Sequence, residues 1–165
     1  MQDAFFTSKQ AAEMTGCTLR QLQYWREKEV VIPTISATGT GRSVYYSKAN
    51  LLELAVMVHF LSVGLSFDLA GETLKTLKDK EPELFTTSQC QGKRFMLLRS
   101  AVGSSASLSL KEKLSKGEKI STLFIVEFDR EKAIASLEQG QPVIPVWLDM
   151  IYTELAVKLE KLAMK

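Results

Sequence analysis

A chain of 165 residues, 45% hydrophobic and 24% charged, has room for one compact domain or two small ones and is not globally disordered. Its net charge of +2 is too small to announce a nucleic-acid partner by itself, but the whole excess lies in residues 1–50, where six basic residues stand against four acidic ones. The apolar run 51–65 contains Glu53 and His59 and is too short for a membrane span, and the N-terminus lacks the pattern of a secretory signal, so a cytoplasmic protein with no membrane partner is expected.

In chain order, Thr7 or Ser8 can cap a helix over residues 9–14, which Gly16 stops by taking positive φ. Thr18 can cap a second helix, with Leu19, Leu22 and Trp25 or Tyr24 at helical spacing on its inner face. Two short helices around a glycine turn are the helix-turn-helix pattern. The β-prone segments Val30-Val31-Ile32 and Val44-Tyr45-Tyr46 flank a small Gly-rich loop and predict a hairpin. Gly39 and Gly41 do not form a nucleotide loop, because the Lys-Ser/Thr and helix that complete one are missing. Ser47 can cap a third helix to about Val63, and Ser66 a fourth to about Asp79, ahead of Pro82.

Beyond Pro82 the pattern changes. Residues 86–92 read as a polar loop, 94–100 and 121–128 as strands, and 106–110 as a weaker strand beside a serine-rich turn. Asp129 can cap a helix to about Gln139, closed by Gly140, and Pro142 and Pro145 bracket a short extended piece. A final helix from about Val146 carries Trp147, Leu148, Ile151, Leu155, Leu159 and Leu162 as an apolar stripe, suited to pairing two subunits or to packing on the chain's own sheet. The fold class expected is α+β: an N-terminal winged helix-turn-helix with two further helices, then a small β-hairpin or sheet segment and a C-terminal helix. The division expected is 1–81 for DNA binding and 82–165 for dimerisation or regulation.

The segment from Phe6-Thr7-Ser8-Lys9 through Thr15-Gly16-Cys17-Thr18 to Arg20-Gln21-Leu22-Gln23-Tyr24-Trp25 resembles the opening of the MerR family of transcriptional regulators. The order that follows is similar too, with Tyr46-Ser47 ending the wing and Gly64-Leu65-Ser66 before the fourth helix. The resemblance covers roughly residues 5–77. It implies a recognition helix whose N-terminal turns meet base edges in the major groove. The DNA-binding candidates are Lys9, Thr18, Arg20, Gln21, Gln23, Tyr24, Arg26 and Lys28, with Arg42, Ser43 and Tyr45 from the wing. Arg20 can bind guanine or a phosphate in bidentate fashion, and Gln23 stands where the family usually has a second arginine. Arg26 and Lys28 also fit a plain solvated helix end.

Sensing chemistry is sparse. Cys17 and Cys90 are far apart and read as reduced thiols, His59 sits on an apolar helix, and no ligand cluster for a metal is visible. Only Lys93 and Arg94 stand near enough in sequence to lower the Cys90 pKa. No catalytic triad or carboxylate pair stands out, so no enzyme, cofactor or metal is expected. The reading is a homodimeric repressor, associated with the nucleoid, on double-stranded DNA carrying an inverted-repeat operator. Ligand-poor C-terminal regions of this kind also occur in family repressors of CRISPR-associated transposon genes. Two rivals stay open: an activator responsive to a hydrophobic small molecule held by Phe95, Leu97, Phe124, Trp147 and Tyr152, and an architectural factor of the excisionase kind.

Overall fold

The computed structural model describes residues 4–36, 43–87, 90–99 and 123–164. They belong to two compact units, one of Met1–Lys93 with Trp147–Lys165, the other of Arg94–Val146. The expected cut at 81/82 therefore differs from the structure on both sides: the chain leaves the first unit after Lys93, and its final helix returns to that unit.

The first unit begins with β1 (Phe6–Thr7) and α1 (Ser8–Thr15), followed by α2 (Leu19–Glu27). Thr7 caps α1 through its hydroxyl, which accepts from Gln10 N at 3.2 Å, while Gln10 Oε1 accepts from Thr7 N at 2.9 Å. The same reciprocal arrangement recurs at Thr18–Gln21 and Ser47–Asn50. Gly16 takes φ 80° and its N–H donates to Ala12 O at 2.9 Å, closing α1 and letting the chain turn within three residues. β2 (Ile35–Ser36) and β3 (Val44–Tyr46) are antiparallel, and β3 lies between β2 and β1, with Tyr46 opposite Phe6 and Tyr45 opposite both Thr7 and Ile35.

α3 (Lys48–Ser62) is the centre of the unit. Leu51, Leu52, Leu54, Val56, Met57 and Phe60 are all fully buried, and the helix packs against α1, α4 (Phe67–Lys80), α5 (Pro82–Thr87) and α7 (Leu148–Ala163). Apolar residues on nearly every side suit a helix enclosed by others, which explains the long apolar run without a membrane. Among the described residues no helix is long and apolar enough to cross one. The buried Glu53 carboxylate on α3 meets Lys78 Nζ of α4 at 2.8 Å. α5 was not expected from the polar composition of this stretch. Pro82 is suited to the first helical position, and Leu84 and Phe85 are buried, so an apolar pair ahead of the polar residues fixes the helix.

The second unit holds β4 (Arg94–Arg99), β5 (Leu123–Glu127), α6 (Arg130–Glu138) and most of β6 (Val143–Trp147). The sheet order is β5-β4-β6, and β4 and β5 are antiparallel with Leu97 opposite Ile125 and Leu98 opposite Phe124. Asp129 caps α6, its carboxylate accepting from Lys132 N at 3.0 Å, as the sequence indicates. The expected strand at 106–110 and its serine turn lie outside the described residues. The mixture of helices with two small sheets is the α+β class expected.

Candidate nucleic-acid interface

The interface grows from the way α2 is seated. Leu22 and Trp25 are 2% and 1% exposed, and Val30 N donates to Trp25 O at 2.9 Å as the chain turns away. Val30 in turn sits against Gly71, where an added Cβ would stand 3.4 Å from its methyl carbon. With these residues inside, the helical period puts Leu19, Arg20, Gln23, Tyr24 and Glu27 on the other side, and all five are exposed. Leu19, expected on the inner face, is 56% exposed. Leu19 stands in the first turn of α2, at the edge of its buried face, about 60° from Leu22 and about 120° from Trp25 around the axis.

The outward face is held in place along its length. Thr18 and Gln21 are bound to each other, with Gln21 Oε1 accepting from Thr18 N at 2.9 Å and Thr18 Oγ1 accepting from Gln21 N at 3.1 Å. Both were expected as DNA contacts. Their first role here is to cap α2, which leaves the Thr18 hydroxyl hydrogen and the Gln21 amide NH2 for an outside acceptor. Gln23 Nε2 donates to Glu27 Oε1 at 3.0 Å, an i,i+4 pair. The Tyr24 ring is 43% exposed, packs on Phe67 with centroids 4.9 Å apart, and has Lys28 Nζ 5.7 Å from its centroid.

Arg26 is half-buried rather than a plain solvated end, and its positive charge reaches the buried Tyr46 of β3. Burial pushes the Tyr46 hydroxyl up, and Arg26 and a hydrogen bond with Ser8 work against that shift. Lys9 is exposed on α1, Ser43 is exposed ahead of β3, and Tyr45 is half-buried on β3. These three stand on elements other than α2. Arg42 lies outside the described residues.

One structural residue was missed in the sequence. Asn50, 6% exposed, joins the wing to α3: its Oδ1 accepts from Thr34 Oγ1 at 2.7 Å, Thr34 N at 3.0 Å and Ser47 N at 3.1 Å, and its Nδ2 donates to Ile32 O at 3.0 Å. Its signal is the Ser-x-x-Asn spacing, which looks like an ordinary cap but here ties three segments.

The residues assigned to dimerisation separate. Leu148 and Leu155 are fully buried on α7, which packs on α1 and α3 of its own chain, so they are spent inside the unit. Trp147, Ile151, Leu159 and Leu162 are half-buried. Three of the five residues considered for a hydrophobic effector, Phe95, Leu97 and Phe124, lie on the β4–β5 pair. Phe95 and Leu97 are buried on one face of the β4–β5 hairpin, while Phe124, opposite Leu98, is 42% exposed on the other. A cavity of about 880 Å³ in the first unit is lined by Cys90, Lys93, Asp149, Met150, Tyr152 and Thr153 among others, and of the five only Tyr152 reaches it. Burial, with the Asp149 charge second, pushes the Cys90 thiol up to about 11. Burial also raises Cys17, against a hydrogen bond to Thr15. Among the described residues no group of three or more His, Cys, Asp or Glu is placed to hold a metal.

Two capped helices about a glycine turn, with a hairpin tied to the next helix, define a winged helix-turn-helix. Residues 6–77 match the family described as MerR HTH family regulatory protein. Three mycobacterial proteins, one from Mycobacterium bovis and two from strains of Mycobacterium tuberculosis, are each 39% identical over 57 residues and are named uncharacterized HTH-type transcriptional regulators. The match covers 34% of this chain and 25% of each relative, so the likeness is to a part of each protein only. The N-terminal segment is thus similar to the MerR helix-turn-helix family.

Proposed function

We propose that this chain is a sequence-specific DNA-binding transcriptional regulator, acting as a dimeric repressor on an inverted-repeat operator. The observation that carries the reading is the outward face of α2: Arg20, Gln23 and Tyr24 stand exposed on a helix capped at one end and anchored by Trp25 beneath. Rigid presentation of this kind is what base-edge contacts in a major groove need. Arg20 supplies the base or phosphate contact, Tyr24 and Lys28 the phosphate contacts, and Ser43 and Tyr45 carry the wing toward the neighbouring backbone.

The pairing of subunits is assigned to the outward side of α7. With Leu148 and Leu155 turned inward, Met150, Val157 and Met164 remain at seven-residue spacing, 50%, 44% and 86% exposed. A two-fold pair built on this side presents two recognition helices to an inverted repeat.

The test is selection of a random duplex pool on the purified full chain with no added compound, followed by light scattering and a promoter reporter. Enrichment of an inverted repeat, a mass of two chains and a fall in reporter output are the expected results. Enrichment only when a small molecule is added contradicts the effector-free repressor, and a single-chain mass that persists on the selected duplex contradicts the dimer.

A further inference from the structure

Leu19 is the first residue of α2 and is 56% exposed, a position at which water offers a leucine nothing. The other two helices with reciprocal caps begin with Ser8 and Lys48, whose side chains are suited to solvent. Around the helix axis Leu19, Gln23 and Arg20 fall within about 100° of arc, with Leu22 about 60° beyond Leu19 and Trp25 on the far side. The Thr18–Gln21 cap fixes this first turn, so Leu19 is held in one place. Gln23, one turn further on, is held by Glu27.

An aliphatic side chain at the N-terminal end of a helix lying in the major groove finds one apolar group on the base edges, the C5-methyl of thymine. We propose that Leu19 is a specificity-determining residue that packs on a thymine methyl, within about two base steps of the base met by Arg20. The inference rests on α2 being the recognition helix. It adds an apolar reading that the polar residues of the same face do not supply.

Deoxyuridine keeps every hydrogen-bonding group of thymidine and lacks only that methyl, which makes it the direct probe. In the duplex selected on the full chain, each thymine is replaced singly by deoxyuridine, and affinity is measured for the wild type, Leu19→Ala and Leu19→Gln. Loss of one buried methyl contact corresponds to about a threefold to fivefold weaker affinity. The expected result is one thymine per half-site at which the wild type shows this loss, while both variants bind the thymine and uracil duplexes equally. A wild type with no methyl-sensitive thymine, or variants as sensitive as the wild type, overturns the role of Leu19 and leaves the DNA-binding reading standing. A pool that enriches no sequence overturns both.

Discussion

Trp25 and Leu137 are both large apolar side chains on nine-residue helices, and they finish at 1% and 59% exposure. α2 rests on α1 and is tied at its start by a reciprocal cap, and its Tyr24 packs at a tilt on Phe67 of α4. α6 buries only Ala133, and Ile134 and Leu137 stay exposed, as do Phe124 and Phe128 of the same unit. Burial of Leu22 and Trp25 fixes the exposed side chains of α2 in place, which a surface that reads bases requires. On α6 the apolar Ile134 and Leu137 stay exposed, so changes at these two positions touch few contacts.

That contrast can be broken in steps. Trp25→Ala removes the side chain on which α2 is seated, and a loss of about 3–5 kcal/mol is expected from the urea midpoint of the whole chain. Asn50→Ala leaves Thr34, Ser47 and the Ile32 carbonyl without their shared partner, and about 1–3 kcal/mol should go, with faster amide exchange in the wing. Thr18→Ala removes one half of the α2 cap, and a smaller loss of about 1 kcal/mol is expected. Leu137→Ser should change stability by no more than about 0.5 kcal/mol, since the side chain is already more than half in water. A large loss at Leu137 and a small one at Trp25 would reverse the comparison.

Much of the first unit was legible because its signals are local. Thr7, Thr18, Ser47 and Ser66 each cap the helix the sequence assigns to them, and Gly16 has the positive φ its place implies. The phase of α2 was read partly wrong. Leu19 follows the same spacing as Leu22 and Trp25, and a spacing does not say at which residue the packed face stops. Thr18 and Gln21 were legible as polar, but the reciprocal bonds between them set their first role. The stripe on the final helix was visible as a stripe. Its partner was not, because burying Leu148 and Leu155 on α3 is a long-range event that no local pattern encodes. The hub at Asn50 is of the same kind, since it joins residues eighteen positions apart.

Arg20 is the most direct probe of the proposal that the outward face of α2 reads DNA. Its side chain is exposed, and the buried residues of α2 are Leu22 and Trp25. Binding of the selected duplex by wild type and Arg20→Ala, measured beside their urea midpoints, separates recognition from folding. The account predicts an affinity loss of about 1–3 kcal/mol, with loss of preference at one base pair and an unchanged midpoint. Unchanged affinity and unchanged sequence preference would contradict it.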